Sequence, residues 1–243
     1  MSKTNDITGI LDIRTGSAVA VVGCRGKTSL IELIALQNKD KKVLVTPTTK
    51  IFPMISDDIV LCDTLQSCLK HKPKTGVQCL GQYNERSNVL EALPMQTLAD
   101  MVPLYDIVLM EADGSRGLPC KGWKDHEPVV PDFCTQTVGV LTMCALGKTA
   151  ANDVVHHLAE FMLLTGLGEG DIITVKALED MVCLPEGMFR TSIGDQYLVI
   201  NQVENESTTC EADSFLRSVK AKYPGRFKRL IYGSVHVGDW HEV

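Results

Sequence analysis

Short unbroken apolar runs alternate along this chain with stretches in which apolar residues recur every three or four positions. Val19-Ala20-Val21-Val22 runs into Gly23 and reads as a strand buried on both faces. From Lys27 onward, Leu30, Ile31, Leu33, Ile34 and Leu36 fit a helix with one buried face. Val43-Leu44-Val45 follows a charged turn and reads as the next strand, which completes a βαβ unit and implies a parallel sheet with a right-handed crossover. Further strands are expected at Asp106 to Met110, Val138 to Leu141, Tyr197 to Ile200 and Arg229 to Tyr232. Helices are expected from Pro94 through Met101, from Asn152 to Leu164, and from Glu211 to Lys222. Residues 53 to 93 read as an excursion of short helices with one strand at Val77 to Leu80. Strands and helices alternate without repeat or linker, so the chain is expected to form a single domain over 1–243, a three-layer α/β fold with a mostly parallel sheet.

Composition narrows this picture. With 243 residues, 44% of them hydrophobic, the chain has material for a sizeable core. A net charge of −6 with interspersed signs does not suit a nucleic-acid binder. The nine cysteines are scattered without a C-x-x-C pair, which fits reduced thiols better than a disulfide framework. Residues 1 to 18 lack the apolar core of a signal peptide, and no apolar run reaches membrane-spanning length. A cytoplasmic protein with no membrane partner is expected.

The turn between the first strand and helix carries the first chemistry. Gly23-Cys24-Arg25-Gly26-Lys27-Thr28-Ser29 has the glycines that let backbone N–H groups close on phosphate oxygens, followed by a helix start whose dipole favours anions. Only two residues separate the glycines, whereas the common phosphate loop has four. Lys27 is placed to reach the β/γ-phosphates and the Thr28 hydroxyl to ligate Mg²⁺. Arg25 and Lys27 sit at the positive end of a helix that has no acid before Glu32, which costs about 0.3–1 kcal/mol each without an anion. A bound phosphate reverses that sign, with about 4 kcal/mol per unit-charge pair at ~4 Å and an effective dielectric near ~20, before desolvation.

The second motif is Glu111-Ala112-Asp113-Gly114-Ser115-Arg116-Gly117, at the carboxyl end of the Asp106 to Met110 strand. In a parallel sheet this is the edge that also carries the phosphate loop. Residues i and i+2 project to one side, so Glu111 and Asp113 could face one cation. Arg116 is placed to touch phosphate or an acidic substrate.

Taken together, VVGCRGKTSL, VLVTPTTKIFP, DIVLMEADGSRGLPCK, HEPVVP and ALGK resemble, in order and spacing, the selenium-dependent hydroxylase accessory proteins of the YqeC family. The resemblance runs from about residue 9 to residue 235. It implies a P-loop NTPase-like nucleotide-binding domain that serves maturation of molybdenum hydroxylases carrying labile selenium. The loop spacing G-x-x-G-K-T is also similar to that of the Mur ligases, which bind ATP with a shortened loop. Carried over block by block, the resemblance assigns triphosphate to Gly23, Gly26, Lys27, Thr28 and Ser29, with Thr48 and Thr49 near Mg²⁺ or the γ-phosphate. Its acidic block gives Glu111, Asp113 and Arg116, and the expected metal ligands are Thr28, Glu111 and Asp113, with Lys27, Asp113 and Arg116 expected to carry the chemistry. The chain departs from the family at Cys24-Arg25, at Pro47 within the threonine run, and at Ile200-Asn201-Gln202-Val203-Glu204. In this last stretch Asn201 is retained as a nucleotide contact, Glu204 could accept from a guanine, and Gln202 lacks a lysine stem. The cofactor is therefore ATP or GTP with Mg²⁺.

Other residues are weighed individually. His156 and His157 are expected on different faces of a helix, one packed and one solvated, rather than as a metal pair. His126 sits among turn formers near the acidic motif, where it could touch ligand or position water. Cys24 is read as a small apolar filler rather than as a low-pKa thiol. The expected function is a Mg²⁺-dependent nucleoside-triphosphate-binding accessory protein, a slow NTPase that works with a molybdenum hydroxylase or its cofactor-insertion machinery. A ligase or kinase acting on a small metabolite, and a non-catalytic nucleotide sensor, are the alternatives.

Overall fold

The computed structural model describes residues 3–54 and 57–243, so positions 55 and 56 of the irregular 53–93 stretch lie outside the described residues. The strands are β1 (Lys3–Thr4), β2 (Ser17–Gly23), β3 (Lys42–Pro47), β4 (Lys50–Ile51), β5 (Ile59–Cys62), β6 (Gly76–Leu80), β7 (Gln82–Asn84) and β8 (Val89–Glu91). They continue as β9 (Ile107–Glu111), β10 (Cys120–Lys121), β11 (Gln136–Thr142), β12 (Val155–His156), β13 (Asp195–Asn201), β14 (Arg229–Gly233) and β15 (Trp240–Glu242). The helices are α1 (Ile7–Ile10), α2 (Lys27–Gln37), α3 (Leu65–Lys70), α4 (Met95–Met101), α5 (Leu158–Thr165), α6 (Val175–Cys183) and α7 (Glu206–Lys222).

Ten strands form the central sheet in the order β1-β15-β14-β13-β11-β2-β9-β3-β6-β5. Every neighbouring pair from β14 to β5 is parallel, and only β15 joins antiparallel to its neighbours. Along β2 the side chains alternate between two cores. Ala18, Ala20 and Val22 face the one built with α4 to α7, while Val19 and Val21 face the one built with α1 and α2. Burial on both faces is why this strand reads as an unbroken apolar run. Helices on both faces of the sheet make the three-layer α/β arrangement that the alternation predicted. No described helix is long and apolar enough to cross a membrane.

Two expected helices differ. The helix expected over Asn152 to Leu164 begins only at Leu158. Residues 155–156 instead form β12, which pairs in parallel with β10, and His157 adopts a left-handed conformation at the helix N-cap (φ 56°). The helix expected from Glu211 begins at Glu206, where Asn205 caps the N–H of Thr208 and the Thr208 side chain returns the bond. Its first turn is polar and carries no apolar period to betray it. The excursion holds more strand than foreseen: β4, β8 and β7 make a separate antiparallel sheet, and β5 adds to the main one. His241 lies on β15 and stacks on Tyr232 with ring centroids 5.0 Å apart.

What matters for function is the register at one edge. Val21 and Pro47 both lie opposite Glu111, Val140 lies opposite Gly23, and Thr142 lies opposite Asn201. The carboxyl ends of β3, β9, β2, β11 and β13 thus form one continuous rim, the place where open α/β sheets bind ligands.

The helix that follows β2 is held by its apolar face, with Leu30, Ile31 and Ile34 fully buried. Ile34→Ala should cost about 2–5 kcal/mol, seen as a lower urea midpoint at unchanged slope. Leu163→Ala, at a position 87% exposed, should stay within about 0.5 kcal/mol of wild type.

Candidate functional site

The turn after β2 is built on its two glycines. Gly23 (φ 109°) and Gly26 (φ 97°) both occupy left-handed backbone. A Cβ on Gly23 would collide with the Val140 carbonyl, and one on Gly26 would lie 2.5 Å from Asn201 Nδ2. Three N–H groups of the turn are already committed. Gly23 donates to both Asp113 oxygens (3.0 and 3.1 Å), Cys24 to Val140 O (2.8 Å) and Arg25 to Leu118 O (3.2 Å). The donors left for an anion therefore lie at the start of α2, whose N-cap Gly26 makes no side-chain cap and whose first turn holds no acid.

Lys27 is only 2% exposed. Its ammonium donates to Gly23 O (2.7 Å) and Cys24 O (3.1 Å), and lies 3.3 Å from Asp113 Oδ1 and 3.9 Å from Glu111 Oε1. Burial works against its charge, but Asp113 and Glu111 outweigh this and raise its pKa. Thr28 Oγ1 donates to Glu111 Oε2 at 2.7 Å. Glu111 and Asp113, two residues apart, both lie beside the Lys27 ammonium.

The two carboxylates differ in kind. Asp113 is fully buried and accepts from Gly23 N–H and, at 2.7 Å, from Trp123 Nε1, with Lys121 Nζ 3.5 Å away. Burial would raise its pKa, yet Lys27, Lys121, Trp123 and the Gly23 N–H together hold it below the usual value. Glu111 has fewer partners. Burial pushes its carboxyl above the usual range, and Lys27 and Thr28 compensate only in part. Glu111 meets Lys27 only at 3.9 Å and takes a hydrogen bond from Thr28, fewer donors than Asp113 gathers. A hard cation could take oxygens from Glu111 and the Thr28 hydroxyl. A cation on Asp113 would have to displace donors that already fill it.

Among the described residues, no group of three or more His, Cys, Asp or Glu is placed to hold a metal. An ion at Glu111 would take its remaining oxygens from phosphate and water, as Mg²⁺ commonly does.

A family model for YqeC protein matches residues 19–159. An uncharacterized protein YqeC of Escherichia coli (strain K12) is 30% identical over 181 residues, covering 72% of this chain and 70% of that protein. The chain belongs to the YqeC family. No solved structure matches it. The family match spans the phosphate loop and both carboxylates, while the rim at β13 and β14 lies beyond it.

Within this YqeC-family chain the other expected residues fall as follows. Ser29 is exposed on the first turn of α2. Thr48 spends its hydroxyl on Val129 O (2.6 Å), while the buried Thr49 Oγ1 finds no hydrogen-bond partner among the described residues. Arg116 is exposed at the tip of the 114–118 loop in left-handed backbone (φ 52°), and its charge helps keep His156 neutral. Asn201 reaches the loop, with Nδ2 3.4 Å from Gly26 O. His126 is exposed, and its neighbour Glu127 turns inward instead.

Sequence reasoning missed the support beneath the loop. Lys121, 0% exposed, donates to Gly114 O (2.5 Å) and pairs with Glu127 (3.0 Å), which lies 3.5 Å from His157 Nε2. Ser115 Oγ lies 3.4 Å from Lys27 Nζ. No spacing rule shows that residues 114–123 fold back under the turn. The lysine and tryptophan so close behind two carboxylates were the available signal. His156 and His157 are both half-buried and stack at 3.8 Å, and burial, followed by His157, Lys121 and Arg116, lowers His156 to about 4. One packed and one solvated histidine is therefore not what the structure shows.

Cys24 is fully buried and burial pushes its thiol up to about 12. Iodoacetamide near neutral pH should label the exposed Cys144 and Cys210 first and leave Cys24 unmodified until the chain unfolds, as peptide mapping would show. Asp113→Asn should destabilise the fold by about 3–5 kcal/mol in chemical denaturation, because it leaves two buried lysines short of their partner. A stable Asp113→Asn variant changed only in its Mg²⁺ response would place Asp113 on the metal instead.

Proposed function

We propose that this chain is a Mg²⁺-dependent nucleoside-triphosphate-binding accessory protein with slow NTPase activity, serving maturation of a selenium-dependent molybdenum hydroxylase. The observation that carries the nucleotide reading is the grouping of Lys27, Thr28 and Glu111 at an uncapped helix start. Lys27 is itself matched by Asp113 and Glu111, so what the helix start leaves for an anion is its uncapped N–H groups, and Glu111 with the Thr28 hydroxyl beside it offers oxygen ligands for a divalent ion. Phosphoryl transfer needs positioning and charge neutralisation more than covalent chemistry, and these residues supply both. Mg²⁺ would be held by Thr28 and Glu111 and would neutralise phosphate charge. Lys27 would orient the phosphates from within the loop, the N–H groups at the start of α2 would bind their oxygens, and Thr49 Oγ1 offers a buried hydroxyl on the same rim. The hydroxylase partner rests on the family resemblance alone.

Calorimetric titration with triphosphates tests the reading directly. Lys27→Ala should weaken binding at least about a hundredfold, with circular dichroism checking that the variant folds. Glu111→Gln should bind with little dependence on Mg²⁺. Wild-type affinity in the first variant, or wild-type Mg²⁺ sensitivity in the second, would count against the site.

A further inference from the structure

We propose that Glu204 reads the base of the bound nucleotide, and that the base it selects is guanine. The inference rests on the triphosphate reading above. Thr28 and Glu111, which would hold the ion, lie on the β9 side of the turn, so the γ end of the triphosphate would point toward β9 and β3. The nucleoside then leaves the loop on the other side of β2, across β11 toward β13 and β14.

The two loops on that side are tied to the phosphate turn and to each other. Asn201, at the end of β13, approaches Gly26 O with Nδ2, and its Oδ1 accepts from the N–H groups of Gln202 (2.8 Å) and Val235 (3.2 Å). One side chain thus joins the phosphate turn to the loops after β13 and β14. Three residues on, the exposed Glu204 is held in place by Ser234, whose hydroxyl donates to Glu204 Oε1 at 2.8 Å. Ser234 is itself buried, and its oxygen accepts from the N–H groups of His236 (3.1 Å) and Val237 (3.4 Å). Glu204 borders an open cavity of about 180 Å³ with Asn205, Thr209 and Val237, so the fold does not close it off.

An ionised carboxylate only accepts hydrogen bonds. Guanine presents two adjacent donors, N1–H and the 2-amino group. Adenine and cytosine each set a ring-nitrogen acceptor beside their amino group, and uracil places one N–H between two carbonyls. Guanine is therefore the base whose edge matches Glu204 without leaving an acceptor facing an acceptor, and such mismatches dominate discrimination at built polar sites.

The test is calorimetric titration of the full chain with Mg²⁺ and GTP, ITP, XTP or ATP. Wild type should prefer GTP to ATP by about tenfold or more and should bind ITP, which lacks the 2-amino donor, more weakly than GTP. In Glu204→Gln the amide N–H₂ can donate to the 2-oxo group of xanthine while its carbonyl accepts from N1–H. That variant should lose affinity for GTP and gain it for XTP, a swap that a merely structural Glu204 would not produce. Equal binding of GTP and ATP by wild type, with both lost in Lys27→Ala, overturns the guanine inference and leaves the phosphate site standing. An unchanged GTP-to-ATP ratio in a folded Glu204→Gln also overturns it. Failure of every triphosphate to bind overturns both readings.

Discussion

The buried pairing of Lys27 with Asp113 joins the two halves of this site. Lys27 opens α2 directly after the turn from β2, and Asp113 lies just beyond β9, so their contact fixes one strand exit against its neighbour. Both groups lie out of water, where each would be costly alone. Asp113 meets that cost by gathering Gly23 N–H, Trp123 Nε1 and Lys121 as well. The shortened turn is thereby anchored through its first glycine before any ligand arrives. A loop two residues shorter than the usual one has fewer N–H groups to offer. This one commits three of them to its own scaffold and leaves the helix start for an anion.

The same contact explains why two carboxylates of similar sequence context differ in chemistry. Glu111 is the last residue of β9, within reach of the first turn of α2. Asp113 lies two residues on, where the chain turns beneath the loop. The first can be completed by an ion and the second is already complete, although sequence spacing treats them as equals.

Much of the fold was legible because it depends on periodicity. The strands buried on both faces, β2, β9, β11 and β13, stood out as apolar runs, and their alternation with helices implied the parallel sheet. The glycine turn and the acidic strand end were legible because a parallel sheet forces both onto one rim. What escaped was whatever depends on a loop folding back. Lys121, Trp123 and Glu127 take their roles only when residues 114–128 pass under the turn, and no local pattern encodes that path. The left-handed His157 and the short β12 escaped for a related reason, since a two-residue strand is defined by its partner β10 rather than by its own composition.

Strand order also gives the site a direction that its residues alone do not. Because β2 lies between β9 and β11, groups that follow β9 and groups that follow β13 meet the phosphate turn from opposite sides. A buried carboxylate bonded to the Thr28 hydroxyl lies on the first side, at Glu111. A carboxylate held ready by a neighbouring hydroxyl lies on the other, at Glu204. Under the proposed reading, a single ligand that reached both would bring phosphates with their cation to one end and hydrogen-bond donors to the other. Asn201, which holds Gly26 and Val235 at once, sets the distance between them.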